Sequence, residues 1–325
     1  MSVIFRLILP GILIISIAGN ALAGARAFIK EYYYKASDLD SRISCRTIAL
    51  EQVKKSLLEE LGTYVTSETT VLNNVLTKDQ VTSYSAGIVT TKVLDEKWDG
   101  NTYYIRATIA ADPSDVANKI ELMRKDKERA RELEEAWKIA NAATSELNKL
   151  KYGSTSRSDN ATAKDKYEKA ISAVVANEYY YQAFSKLDKG FYREAITMLN
   201  EVIKLNPTIA ASYLNRGAAF RALGNYPLAI DDANRALELI PCYAKAHWLA
   251  GVSEHDQCFK TRGNPNSGMA EWGEIIRHYT EAIKCDPLYA DAYYSLGILY
   301  INAEYGYYYN EGMHNIEIAR KLGHK

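Results

Sequence analysis

Neither sign of charge dominates this 325-residue chain: forty lysines and arginines stand against forty aspartates and glutamates, for a formal net charge of zero. Such a balance supplies no global field to attract nucleic acid or an acidic membrane surface. Cysteine is scarce, at four residues, and no CxxC-type pair occurs, which speaks against a zinc site. Phosphate loops, GxGxxG and metal-binding helix motifs are missing too. The five histidines (His247, His255, His278, His314 and His324) have no serine, cysteine or acidic partner at an informative spacing. His255-Asp256 with Cys258 comes nearest, and a coincidence beside a loop outweighs a nucleophile or ligand set there. The expectation is no enzyme, no cofactor, no metal and no small-molecule substrate.

Long apolar runs are absent except at the start. Arg6 is followed by Leu7 to Ala18, apolar apart from Pro10, Gly11 and Ser16, and Ala21-Leu22-Ala23 fits a small-x-small cleavage site before Gly24. The run falls short of the ~20 residues that span a bilayer, so residues 1–23 read as a cleaved export signal rather than an anchor. No cysteine stands after it for lipid attachment, and a bacterial periplasm is the expected destination. Export would permit disulfides. Phenylalanine is rare and tyrosine abundant, 6 against 25. Tyrosine joins apolar area to a polar tip, which serves core packing and contact surfaces alike.

Residues 24–112 do not repeat and read as a small α+β domain. Phe28 to Tyr34 is β-prone. A helix is expected from Asp38 to Leu61, capped by Ser37 or Asp38, with Leu39, Ile43, Leu50, Val53, Leu57 and Leu61 on one face and Gly62 ending it. Tyr64 to Val75 should be extended, and Leu76 to Ser85 a short capped helix. Asp99-Gly100 suits a two-residue turn between Val89–Trp98 and Thr102–Ala110, with Tyr103, Ile105, Ala107 and Ile109 on the buried face. The stretches Thr47-Ile48-Ala49-Leu50-Glu51-Gln52-Val53 and Lys97-Trp98-Asp99-Gly100-Asn101-Thr102-Tyr103-Tyr104 resemble a small exported domain that precedes repeat arrays in bacterial envelope proteins. More loosely, they resemble domains of flagellar-associated and lipoprotein-type envelope factors. That likeness implies a location and carries no catalytic motif.

Asp112-Pro113-Ser114-Asp115 opens a helix that nothing breaks before Lys151. Ten of the twelve residues from Arg124 to Glu135 are charged, so 113–151 reads as a solvated helical connector, with a coiled coil as the alternative. Tyr152 to Asn160 is a polar break. A helix from Ala163 to Val175 is expected to cap the C-terminal helices, giving a linker and capping helix over 152–175.

Proline is also scarce, and two of the seven, Pro207 and Pro241, stand 34 residues apart. In that register Ala183 matches Gly217, Gly190 matches Gly224, Tyr192 matches Tyr226 and Ala195 matches Ala229. Such a period, with small residues at helix crossings, is the tetratricopeptide repeat (TPR) signature, and the chain resembles that family over 176–325. Four units fit the register: 176–209, 210–243, 244–289 with an insertion that includes Lys260 to Gly268, and 290–325. Gly251, Ala282 and Pro287 keep the pattern in the third, Gly297 in the fourth. The fold class is thus multidomain: an α+β domain, a long helical connector and an all-α TPR superhelix. In that register Cys242 opens one helix and Cys285 ends its partner, which favours a Cys242–Cys285 disulfide over other pairings, with free thiols as the alternative. Cys45 should be a small buried hydrophobe.

The resemblance implies a concave groove lined by first helices. Carried over, its positions fall on Asn177, Tyr180, Tyr181 and Phe184; on Leu214, Asn215, Ala218 and Arg221; on Lys245, Trp248, Leu249, Val252 and His255; and on Tyr294, Ser295 and Ile298. Some TPR grooves clamp a peptide's terminal carboxylate with lysines, asparagines and an arginine. Asn215 and Lys245 match that pattern, whereas Tyr180, Phe184 and Leu249 depart from it. The expected function is an exported, non-enzymatic scaffold or adaptor that docks a protein or peptide. The alternative is an envelope or outer-membrane-associated assembly element whose repeats self-associate. A groove already filled by the capping helix or the N-terminal domain would remove the docking surface.

Overall fold

A computed structural model describes residues 25–68, 76–125, 127–152, 160–262, 269–302 and 308–324. The expected export signal, most of the polar break after Tyr152 and most of the Lys260–Gly268 insertion lie outside them. The chain divides into two compact units, Met1–Ser185 and Lys186–Lys325.

In the first unit, strands β1 (Arg26–Lys35), β2 (Lys92–Trp98) and β3 (Thr102–Ala111) form an antiparallel sheet in the order β1-β3-β2. The loop between β2 and β3 sits one residue beyond the expected position: Asp99 pairs with Thr102, its side chain accepts from the Asn101 and Thr102 amides, and Gly100 turns at φ 97°. Tyr103, Ile105, Ala107 and Ile109 are all buried. They pack on α1 (Arg42–Glu68), whose other side meets α2 (Lys78–Ile88) and α3 (Pro113–Lys125). A helix covered on two sides buries more than one stripe, so Cys45, Ile48, Ala49, Val53, Leu57, Leu58, Leu61 and Val65 all go inside while Ile43 stays 76% exposed. Helix α1 starts later than the sequence implied, because Ser41 and Ser44 exchange side-chain and backbone bonds there. It also runs through Gly62 to Glu68, so the expected stop at Gly62 and the extended segment from Tyr64 to Glu68 are corrected. A Cβ at Gly62 would rest in ordinary contact with Val81 and Thr82 of α2, so tertiary packing carries the helix past this position. Helix α2 opens with the expected cap, a reciprocal box between Thr77 and Gln80.

The charged connector is not a spacer. Helices α3 and α4 (Lys127–Tyr152) bury Val116, Ile120 and Met123, then Ala130, Leu133, Ala136, Trp137, Ala140, Ala143 and Leu147, a stripe at helical spacing. Two acids of the charge run dock neighbouring elements: Glu134 accepts from Tyr84 and Gln80 of α2, and buried Glu132 accepts from Tyr180 at 3.1 Å. Helix α5 is continuous from Asn160 to Asp188, so the expected capping helix and first repeat helix are one element.

The second unit contains paired helices. They are α6 (Tyr192–Leu205), α7 (Ala210–Ala222) with α8 (Tyr226–Leu239), α9 (Ala244–Arg262) with α10 (Met269–Cys285), and α11 (Ala290–Asn302) with α12 (Tyr309–Lys321). The 34-residue period is visible in the hydrogen bonds. Gly190 and Gly224 take φ of 75° and 74°, and the next amides, Phe191 and Asn225, bond back to Lys186 and Phe220, each at 2.9 Å. Before each proline, Asn206, Ile240 and Asp286 donate to Val202, Ala236 and Ala282. Ala195, Ala229, Ala236 and Ala282 are fully buried, as is Ala183 within the first unit. Cys242 and Cys285 form a disulfide with Cα atoms 5.3 Å apart; Cys45 and Cys258 are thiols.

Helices of the second unit cross closely at glycines. A Cβ on Gly217 would lie 3.1 Å from the Ala229 carbonyl, one on Gly251 2.9 Å from the Tyr279 ring, and one on Gly297 2.8 Å from the Gly312 carbonyl. Replacing Gly251 by leucine should cost about 1–3 kcal/mol through overpacking. Urea unfolding followed by far-ultraviolet dichroism checks this; an unchanged midpoint would show that the crossing tolerates bulk.

Candidate partner-binding site

The first helices of successive pairs, α7, α9 and α11, are linked through side chains. Arg221 of α7 makes an ion pair at 2.9 Å with Asp256 of α9, and its guanidinium carbon lies 5.7 Å from the Trp248 ring centre. The Trp248 indole donates from Nε1 to Ser295 Oγ of α11 at 3.0 Å and stands edge-on to Tyr289. Bonded on one side and half-buried, this tryptophan is a fixed apolar platform. Tyr294, 39% exposed, packs edge-on to His324.

The structure separates the residues expected to line one groove. Tyr180, Tyr181 and Phe184 belong to the core of the first unit, only 2–4% exposed, and are not open surface. Tyr180 bonds Glu132, Lys54 lies over the Tyr181 ring, and Phe184 packs near Gly87 and Leu133. The cause is α4, whose buried stripe needs the aromatic face of α5. Leu214, Leu249 and Val252 are also core residues. Asn215, Arg221, Lys245 and Trp248 remain partly exposed, and Tyr294 exposed. Asp256 and Tyr289 join this face although the repeat register did not place them there. Asp256 stands 35 residues after Arg221, one step past the repeat period, and that spacing is a signal for a pair on neighbouring first helices.

A histidine pair also escapes the sequence. His247 Nδ1 lies 3.3 Å from His278 Nδ1, His247 Nε2 is 3.1 Å from the Pro241 carbonyl, and Arg277 reaches His278 Nε2 at 3.2 Å. Arginine only donates and a carbonyl only accepts, so the chain runs Arg277 to His278 to His247 to Pro241 with both rings neutral. Burial, then the Arg277 charge and any charge His247 takes up on acidification, push His278 down to about 4. Burial and then Glu274 push Glu254 up to about 7; its Oε2 is buried without a hydrogen bond, and Oε1 lies 3.8 Å from His278 Nε2. Asp256, of the His255-Asp256-Cys258 grouping, pairs with Arg221 of α7. Among the described residues no group of three or more His, Cys, Asp or Glu is placed to hold a metal ion.

Paired helices closed by glycines at a fixed period and crossing through small residues define a helical-repeat unit. Tetratricopeptide repeat models match residues 180–254 and 278–317, so TPRs are present in this chain. Among curated relatives, Hsp70-Hsp90 organizing protein 1 of Glycine max is 31% identical over 96 residues, 30% of this chain and 15% of that protein. Small glutamine-rich tetratricopeptide repeat-containing protein 2 of Saccharomyces cerevisiae is 31% identical over 99 residues, 29% of this chain and 27% of its own length. Human serine/threonine-protein phosphatase 5 is 29% identical over 117 residues, 36% of this chain and 21% of the phosphatase. The chain therefore spans less than a third of each. Among solved structures, the first TPR of Spaghetti (RPAP3) bound to the HSP90 peptide SRMEEVD is 20% identical with a TM-score of 0.34, covering 38% of this chain and 90% of that one. MamA is 21% identical with a TM-score of 0.37, covering 52% and 95%.

Glu254 gives a prediction with a defined sign. The unfolded carboxyl ionises near 4.5 and the folded one near 7, so its burial costs stability above that window and nothing below it. Glu254→Gln should therefore be more stable than wild type at pH 8, by about 1–3 kcal/mol, with the gain gone below pH 4.5. In that variant His278 remains, and stability should fall as pH drops from 6.5 towards about 4. Melting temperatures across pH measure both; a gain independent of pH would contradict the assignment.

Proposed function

We propose that this chain is an exported, non-enzymatic adaptor that holds a protein or peptide segment on the face formed by α7, α9 and α11. The observation that carries this reading is the Arg221–Trp248–Ser295 linkage: a half-buried indole held by its neighbours, with a guanidinium beside it and an exposed tyrosine on the next first helix. Aromatic and arginine side chains held in place dominate the energetics of docking surfaces, because they lose little freedom when a partner arrives. The name of the Hsp70-Hsp90 organizing relative supports a polypeptide as the ligand class. Leu249 is buried and Tyr180 and Phe184 belong to the other unit, which favours apolar anchoring of an internal segment over capture of a terminal carboxylate. Export is supported by the pattern of residues 1–23 and by the Cys242–Cys285 disulfide, which suits an oxidising compartment such as a bacterial envelope.

Peptides selected from a displayed library against the full chain test the face directly. They should bind Trp248→Ala at least about tenfold more weakly than wild type, and the Trp248→Ala/Tyr294→Ala double variant more weakly still. Selected peptides that bind both proteins equally would remove this face as the docking site.

A further inference from the structure

The first unit holds a cavity of about 330 Å³ between α1, β2 and α5, at the small end of the range for ligand pockets. Its walls combine apolar groups such as Leu50, Val93 and Val174 with the charged residues Arg46, Glu51, Lys54 and Glu178. Both cations already have carboxylates. Lys54 is 2.6 Å from Glu178 and lies 4.6 Å from the Tyr181 ring centre; Arg46 is 2.8 Å from Glu96 at the strand edge. Gln182 occupies the other oxygen of Glu178 at 2.8 Å.

Glu51 is the group left over. It is 8% exposed, lines the cavity, and makes no hydrogen bond or close ion pair among the described residues; Lys54 and Lys55 act on it only at longer range. An ionised carboxylate so buried is costly without a counter-charge or donors. We propose that this cavity binds a small organic monocation with an apolar body, a primary alkylammonium being the simplest case, with Glu51 as its counter-ion. The charge count favours one positive charge and no more, since the lining cations are each neutralised. Apolar wall area between α1 and α5 accepts the alkyl body.

Burial, with the Glu178 charge, raises the Glu51 carboxyl above the usual carboxylate range, against the pull of Lys54 and Lys55, so Glu51 holds a proton to higher pH than a free carboxyl does. Where Glu51 is protonated, binding is an exchange: the ammonium enters with its charge, the Glu51 O–H bond breaks, and the proton leaves to solvent.

The test uses the full chain and n-butylammonium, with n-butanol and sodium chloride as controls. The amine should raise the melting temperature saturably, and neither control should. Glu51→Gln keeps the shape and removes the charge, and should weaken the amine's apparent affinity at least tenfold while retaining the wild-type dichroism spectrum. Calorimetry of wild type in two buffers of different ionisation enthalpy, repeated at falling pH, should show net proton release on binding as Glu51 becomes protonated. That measurement decides the matter if the variant fails to fold. No saturable shift, a shift shared by butanol or salt, equal affinity in a folded Glu51→Gln protein, or no proton release would overturn the proposal. It stands apart from the docking face, because the selected peptides and the amine are read out separately.

Discussion

Close approach of helices through single hydrogen atoms is the constraint on which the repeat unit depends. At Gly217, Gly251 and Gly297 a methyl group would fall within about 3 Å of a carbonyl, ring or side chain on the paired helix. Pairs that approach this closely bury alanines such as Ala229, Ala236 and Ala282 completely. Stacking one pair on the next then sets α7, α9 and α11 side by side, which brings Arg221 to Asp256 and Trp248 to Ser295. The docking face arises from the spacing of the crossings rather than from any one side chain.

The first unit is organised differently, around buried charge. Helix α1 is covered by the sheet on one side and by α2 and α3 on the other. That leaves Lys54 and Glu51 inside, where each is costly unless compensated. Lys54 finds Glu178 and the face of Tyr181, while Glu132 on α4 receives Tyr180. These contacts fix α5 against α1 and α4, and they commit to the interior three aromatic residues that a repeat helix would present outward.

Periodic features were legible in the sequence and compensated ones were not. The turns at Gly190 and Gly224, the crossings at Gly217, Gly251 and Gly297, and the capping box at Thr77 rest on local chemistry that repeats or has a signature. The alternation from Tyr103 to Ile109 likewise marked the inner face of β3. By contrast, Gly62 reads as a stop because local propensity cannot register the packing of α2 beside it. The run from Arg124 to Glu135 reads as solvated because a buried glutamate is indistinguishable in sequence from an exposed one. Tyr180, Tyr181 and Phe184 sit at groove positions of the repeat register, yet their environment is decided by α4, whose Glu132 lies 48 residues before Tyr180. Pairing of His247 with His278 depends on the crossing of α9 and α10, and nothing local announces it.

The central claim is that a polypeptide docks on the first-helix face. A photo-crosslinking amino acid placed at Tyr294 on α11, and in a parallel protein at Leu228, exposed on the second helix α8, tests it inside cells that produce the chain. Discrete polypeptide adducts from position 294 and none from position 228 are the expected result. Equal labelling from both positions, or adducts from position 228 alone, would contradict it.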